Sequence, residues 1–189
     1  MGASNVRGEN INTPEYWDRA WARDAEQYRL DRSRHTAADY IMGLIPVGAS
    51  VLDIGGGCGV LPGLLRGRNR VKVIDFSPYA LEYARGVGAE AECCDISTYV
   101  DQRFGWFDYV VCTDFIEHLD EPQRAIKCAY YHADRAIFAV PDNCMGPDSC
   151  REHLRVYTRE SLAHELRTWA HIRIVPETIG FNIIAEVWK

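Results

Sequence analysis

Val51-Leu52-Asp53-Ile54-Gly55-Gly56-Gly57-Cys58-Gly59 decides the reading of this chain. A short apolar run enters a glycine cluster, and Val60–Leu65 then opens an apolar helix, so the segment reads as strand, tight turn and helix start. Glycines let backbone approach a ligand closely, and the N-terminus of the following helix supplies oriented N–H groups. The segment is therefore read as a binding turn. The dinucleotide pattern G-x-G-x-x-G/A fails in every register, because Val60, Cys58 or Pro62 falls where glycine or alanine is needed. A P-loop fails too, since no Gly-Lys-Ser/Thr follows.

Outward from this turn the chain alternates strand and helix, the pattern of a doubly wound, mostly parallel α/β sheet. Val71–Ile74 is a second strand, with Ser77-Pro78 as cap and first residue of a helix carrying Tyr79, Leu81 and Tyr83. Glu90–Cys94 is a weaker third strand, Tyr109–Thr113 a fourth and Ala136–Val140 a fifth. Asp120 and Gln123 have the spacing of a capping box for a helix running to about Tyr131. Thr158 caps a helix that places Leu162, Leu166 and Trp169 on one face. Ile172–Val175 and Asn182–Val187 close the chain around a turn at Gly180. Their short connection forbids parallel pairing, so the last strand is expected to run antiparallel in a sheet of about seven strands.

Before the first strand, Thr13-Pro14-Glu15 starts a helix on which Trp17, Trp21, Ala25 and Tyr28 recur at helical spacing. Such a stripe is read first as packing, although the helix could also close over the bound ligand. A second helix spans His35 to Leu44. Residues 1–189 are expected to form one domain, with 1–49 as a helical cap and 50–189 as the core.

The 189 residues suffice to bury a sheet between two helical layers. Hydrophobic residues make up 47% and charged residues 25%, the balance of a folded protein. The net charge of −6 opposes attraction to a phosphate backbone, so nucleic acid is not expected as a partner. No apolar run is long enough to span a bilayer, and the first twelve residues carry no leader-like apolar stretch. A cytoplasmic monomer or homodimer is expected. The seven cysteines are an odd number, and Cys58, Cys93, Cys94 and Cys112 lie in or beside strands, where cysteine serves as a small buried hydrophobe.

Asp53, Gly55, Gly57 and Gly59 form D-x-G-x-G-x-G, and Asp75 stands at the end of the second strand, where a carboxylate can accept from both hydroxyls of a ribose. Asp95-Ile96 follows the third strand, and Thr113-Asp114-Phe115-Ile116-Glu117-His118-Leu119 follows the fourth. This ordered set, from about Ser50 to the C-terminus, resembles the class I S-adenosylmethionine (SAM)-dependent methyltransferases, in the small-molecule branch that includes ubiquinone-biosynthesis enzymes. The resemblance implies a Rossmann-like core and SAM as cofactor. It implies that Asp53, Gly55, Gly56, Gly57 and Gly59 belong to the turn that binds the cofactor and that Asp75 and Phe76 flank its ribose. Asp95 would accept from the adenine amino group, Ile96 would pack on the ring, and Thr113 and Asp114 would lie near the sulfonium.

Methyl transfer is an in-line displacement at an activated carbon, so the protein must align an acceptor and remove its proton when needed. His153, His118 and Tyr157 are the candidate bases, the histidines favoured by their pKa. Glu117 and His118 could equally anchor their loop. Arg151 and Arg155 could hold an acidic acceptor. Arg32 or Arg34, with backbone N–H groups near Gly55, could hold the methionine carboxylate. Cys144, Cys150 and His153 fall in one loop, but zinc usually takes four ligands at tighter cysteine spacing, so no metal is expected. The implied reaction is methylation of an oxygen, nitrogen or carbon of a small-molecule acceptor. A protein side chain as acceptor, or a SAM-binding regulatory subunit without catalysis, are the alternatives. An Asp/Asn-Pro-Pro-aromatic motif, as in nucleic-acid amino-methyltransferases, is missing after the fourth strand.

Overall fold

The computed structural model describes residues 10–31, 35–98, 104–142 and 150–189. Seven strands form one sheet in the order β3-β2-β1-β4-β5-β7-β6. They are β1 (Ser50–Ile54), β2 (Arg70–Asp75), β3 (Glu90–Cys93), β4 (Tyr109–Thr113), β5 (Arg135–Pro141), β6 (His171–Ile174) and β7 (Asn182–Trp188). The first five pair in parallel, and β7 inserts antiparallel between β5 and β6, as the short final connection requires. The helices are α1 (Pro14–Leu30), α2 (Thr36–Leu44), α3 (Val60–Leu65), α4 (Pro78–Gly86), α5 (Gln123–His132) and α6 (Arg159–Glu165).

Alternation along the strands divides the core in two. Leu52, Ile54, Val110, Cys112, Phe138 and Ile183 join one cluster with α5 and α6, through Ile126, Ala129, Leu162 and Leu166. Their neighbours Val51, Val111, Ile137 and Ile184 join the other, against Ile41 of α2, Leu61 and Leu65 of α3 and Leu81 of α4. Successive side chains of a strand point to opposite faces, and a parallel sheet needs both faces covered. The apolar central strands are thus explained by two helical layers rather than one.

The helix starts follow local chemistry. Thr13 accepts from the Tyr16 N–H and Pro14 occupies the first turn of α1; Ser77 accepts from the Ala80 N–H with Pro78 behind it. Thr158 accepts from the Ser161 N–H while the Ser161 hydroxyl accepts from the Thr158 N–H, a complete capping box for α6. The box expected from Asp120 and Gln123 does not form. Pro122 occupies the cap position of α5, the Asp120 carboxylate accepts from Asn10 at 2.7 Å, and Gln123 donates to the Glu165 carbonyl at 2.8 Å. Tertiary partners took both side chains away from the helix end. Cys93 also departs from expectation: it is exposed, whereas Cys58 and Cys112 are buried as read. Among the described residues no helix is long and apolar enough to cross a membrane.

Candidate functional site

The carboxyl ends of β1, β2 and β4 meet at one edge of the sheet, where a doubly wound fold leaves a crevice for ligands. The turn after β1 is shaped by its surroundings. Gly57, at φ 50°, donates its N–H to Asp75 Oδ2 at 3.1 Å, and a Cβ there would lie 2.8 Å from the indole of Trp21. Gly59, at φ 75°, starts α3 and sits so close to α4 that a Cβ would lie 3.1 Å from the Ala84 Cα. Gly59 thus packs helix on helix, while Gly55, Gly56 and Gly57 line a hollow but leave no room for side chains, since a Cβ on Gly55 would run into the Phe115 ring and one on Gly56 would lie 2.6 Å from Asp53 Oδ2.

Two carboxylates lie under the turn. Asp75 accepts from the Ser77 N–H at 2.9 Å as well as from Gly57. Its burial pushes its pKa up to about 6, the backbone hydrogen bonds working in the opposite sense. Asp53 is pushed up to about 7, chiefly by burial and secondarily by the charge of Asp75; among the described residues its Oδ1 has no hydrogen-bond partner.

Three hollows open here. The largest, about 470 Å³, is lined by Gly55, Asp75, Phe76 and Asp95 on the sheet side and by Trp17 and Trp21 on the α1 side. A small recess beside it has apolar walls from Ile74, Ile96, Phe115 and Leu119, with Asp95 at its rim. A chamber of about 360 Å³ shares Gly55, Asp114, His118, Trp17 and Trp21 with the first and extends to Thr113, Pro141, His153 and Phe181.

Helix α1 forms a roof over these hollows. Tyr16 donates its hydroxyl to the Glu152 carboxylate, Asn12 donates to the Glu152 carbonyl at 2.8 Å, and the Trp17 indole N–H donates to Asn12 at 3.0 Å. On the other side Asp18 accepts from the Ser77 hydroxyl at 2.5 Å and from the Tyr79 N–H. The aromatic stripe, first read as packing, therefore packs and lines the site. The helical spacing of Trp17 and Trp21 was the signal for a face; only the docking of α1 shows what that face covers.

Of the expected bases, His118 and His153 come together, ring centroids 4.8 Å apart, with Trp17 edge-on to His118 at 5.2 Å. His118 Nδ1 is 2.9 Å from the Glu152 carbonyl. A carbonyl can only accept, so Nδ1 carries the proton and Nε2 keeps its lone pair. Burial, then the neighbouring His153, push the His118 pKa down to about 4, which keeps the ring neutral. Asp114 adopts φ 47° and accepts from the Asn182 side-chain amide at 2.5 Å. The surrounding protein raises its pKa, against the opposing effects of that hydrogen bond and of His153. Asn182 is 8% exposed, lines the chamber from the inserted strand β7, and was not anticipated. No local pattern marks an asparagine at a strand end; its role depends on β7 lying beside β5.

Other expectations are corrected. Tyr157 is 1% exposed, belongs to the core and lines none of the three hollows; burial raises its pKa, so it serves packing rather than proton removal. Arg155 is buried and donates to the Asp120 carbonyl at 3.0 Å, and neither it nor Arg151 lines the hollows. Arg32, Arg34 and Cys144 lie outside the described residues.

Residues 21–174 match the family model described as "Methyltransferase domain". The chain is 31% identical over 121 residues to a ubiquinone biosynthesis O-methyltransferase of Xanthomonas axonopodis pv. citri (strain 306), covering 59% of this chain and 51% of the relative. It is 32% identical over 133 residues to the Neisseria meningitidis serogroup C (strain 053442) protein of that name, covering 65% and 56%. The chain thus spans about half the length of these curated relatives. Among solved structures, the N-methyltransferase NodS of Bradyrhizobium japonicum WM9 in complex with S-adenosyl-L-homocysteine (SAH) superimposes with a TM-score of 0.70 at 20% identity, covering 94% of this chain and 98% of the other. Magnesium protoporphyrin IX methyltransferase of Synechocystis PCC 6803 with bound SAH gives 0.67 at 17% identity, covering 95% of both. These two likenesses establish the fold.

Proposed function

For a chain that belongs to the methyltransferase domain family and uses SAM, we propose that the methyl group goes to a hydroxyl oxygen of a small acceptor held under α1. The observation that carries this is the chamber of about 360 Å³, walled by Trp17, Trp21 and Phe181 and joined to the large hollow at Gly55, Asp114 and His118. A pocket of that size with apolar walls and a few converging polar groups suits a compact organic molecule rather than a peptide loop.

In this reading Asp75 accepts from the ribose hydroxyls, with Phe76 beside it. Asp95 meets the adenine in the large hollow that it lines, and Ile96 packs on the ring from the small apolar recess beside it. The turn from Gly55 to Gly57 lies along the methionine end of the ligand, and the sulfonium points past Thr113 and Asp114 into the chamber. The acceptor oxygen loses its proton toward His118 and His153, which line the chamber. Its lone pair then forms a bond to the methyl carbon as the carbon–sulfur bond breaks, and neutral SAH is left. The fold holds the two reactants in line and Trp17 and Trp21 exclude water, which is most of what this displacement asks of a protein. The O-methyltransferase names of the two curated relatives support oxygen as the atom methylated.

Calorimetric titration with SAM, SAH and NAD, repeated on Asp75→Asn, tests the cofactor geometry. Two charge-assisted hydrogen bonds, at ~1.5 kcal/mol or more each, predict at least a hundredfold weaker SAH binding in the variant. A panel of phenols, alkyl alcohols, amines and unfolded peptides, scored by SAH release and by the mass of one added methyl group, tests the acceptor. Turnover confined to amines or peptides would refute it.

A further inference from the structure

Glu152 stands between the roof and His118, and both ends of the residue are engaged. Its carbonyl oxygen accepts from the Asn12 side-chain amide at 2.8 Å and from His118 Nδ1 at 2.9 Å, which uses both lone pairs. Its carboxylate accepts from the Tyr16 hydroxyl at Oε1 and from the Cys150 thiol, 3.2 Å away, at Oε2. Burial by itself would raise the Glu152 pKa, but the opposing effects, led by the Tyr16 and Cys150 hydrogen bonds, hold the carboxyl below its ordinary value. Tyr16 is pushed up to about 12, by burial first and then by its bond to Glu152, so the phenol keeps its proton. The tie between them is a hydroxyl donating to a charged carboxylate, the stronger class of hydrogen bond.

A second route joins the same partners. Asn12 accepts from the Trp17 indole N–H at 3.0 Å, and the Trp17 ring meets His118 edge-on at 5.2 Å. Trp17 and His118 both line the large hollow and the chamber. On the cofactor side Asp18 anchors α1 to Ser77 and Tyr79 at the start of α4. On the acceptor side Asn10 reaches Asp120, while Asn12 and Tyr16 reach Glu152. Of these two fastenings, Glu152 is the one that also bonds His118, and its carbonyl decides which nitrogen of that ring carries the proton.

We propose that Glu152 is a positioning residue that couples closure of the roof to the readiness of His118. With Tyr16 tied to the carboxylate, the carbonyl holds the His118 proton on Nδ1 and leaves the Nε2 lone pair to face the acceptor. When Tyr16 lets go, α1 lifts at its acceptor side, water reaches His118 and competes for the Nδ1 proton, and the ring exchanges between its two neutral forms. The base is thus set only while the chamber is closed to water. For methyl transfer this rests on the reading of His118 as an acceptor-side base; the coupling of roof to ring does not.

The test follows the His118 Nδ1 proton in the whole protein, labelled with nitrogen-15 histidine and saturated with SAH. An imidazole proton–nitrogen correlation spectrum should show His118 as its Nδ1–H form, assigned by loss of the signal in His118→Gln. Exchange of that proton with water requires local opening, so loss of one hydrogen bond to a charged group should speed it roughly tenfold or more in Tyr16→Phe and in Glu152→Ala. Glu152→Gln keeps an oxygen for Tyr16 and should lie closer to wild type. The double variant Tyr16→Phe with Glu152→Ala should exchange no faster than the faster single variant, because both changes remove the same bond. Calorimetry with SAH on each sample reports whether it is folded, and Tyr16→Phe, which loses one oxygen atom, decides the matter if Glu152→Ala does not fold. Unchanged exchange in Tyr16→Phe would overturn the coupling, as would a wild-type His118 that carries its proton on Nε2. Faster exchange in Tyr16→Phe, together with full-rate methylation of an acceptor by His118→Gln, would remove the base reading and leave the coupling standing.

Discussion

Asp53→Asn should stabilise the ligand-free protein at pH 8 relative to its effect at pH 4. Burial moves the Asp53 carboxyl from its ordinary value of 3.8 to about 7. A group that holds its proton more tightly when folded makes the native state lose stability as pH rises from the unfolded pKa through the folded one. The penalty is absent below about pH 4, grows between pH 4 and 7, and is constant above. Roughly three pKa steps at about 1.4 kcal/mol each set its full size near 4 kcal/mol. An asparagine resembles the protonated acid and does not titrate. The difference in unfolding free energy, variant minus wild type, should therefore rise by about 4 kcal/mol between pH 4 and pH 8. Taking a difference cancels the titrating groups that do not interact with Asp53 and any pH-independent cost of the amide; Asp75, whose charge raises the Asp53 pKa, contributes to the same rise. Urea unfolding at pH 4, 6 and 8 without SAM measures it. A difference that stays constant, or falls with pH, would refute the argument that Asp53 is a desolvated acid. SAM carries positive charge, so saturating it should reduce the wild-type slope.

Three further outcomes follow from packing. Gly59→Ala forces an L side chain to φ 75° and against the Ala84 backbone, so unfolding free energy should drop by about 2–3 kcal/mol, seen as a lower denaturant midpoint. Thr158→Ala removes half of the α6 capping box and should cost about 1 kcal/mol in the same assay, leaving SAH affinity unchanged because Thr158 lines none of the hollows. Trp21→Ala opens the roof beside Gly57; SAH binding by calorimetry should weaken about tenfold, the equivalent of about 1.4 kcal/mol of lost contact. Unchanged affinity would mean that α1 is a passive cover.

The sequence by itself determined the elements and their class. Periodicity and caps located the strands from Ser50 to Trp188 and the starts of α1, α4 and α6, because those signals are carried by residues three or four apart. Glycine spacing and the carboxylates at the strand ends marked where a ligand sits, because a parallel α/β sheet offers only one edge for it. The tertiary structure decided what depends on residues distant in the chain. Asp120 and Gln123 had the spacing of a box, but Asn10 and Glu165 claimed them. Trp17 and Trp21 became site walls only when Tyr16 and Asn12 bound Glu152, 136 and 140 residues away. Glu117 and His118 met His153 because the Leu154 N–H bonds the Glu117 carbonyl, and Tyr157 four residues on was drawn into the core. Local pattern reports the preference of a backbone segment, whereas a side chain's final partner is whatever donor, acceptor or apolar surface the folded chain brings within a few ångströms.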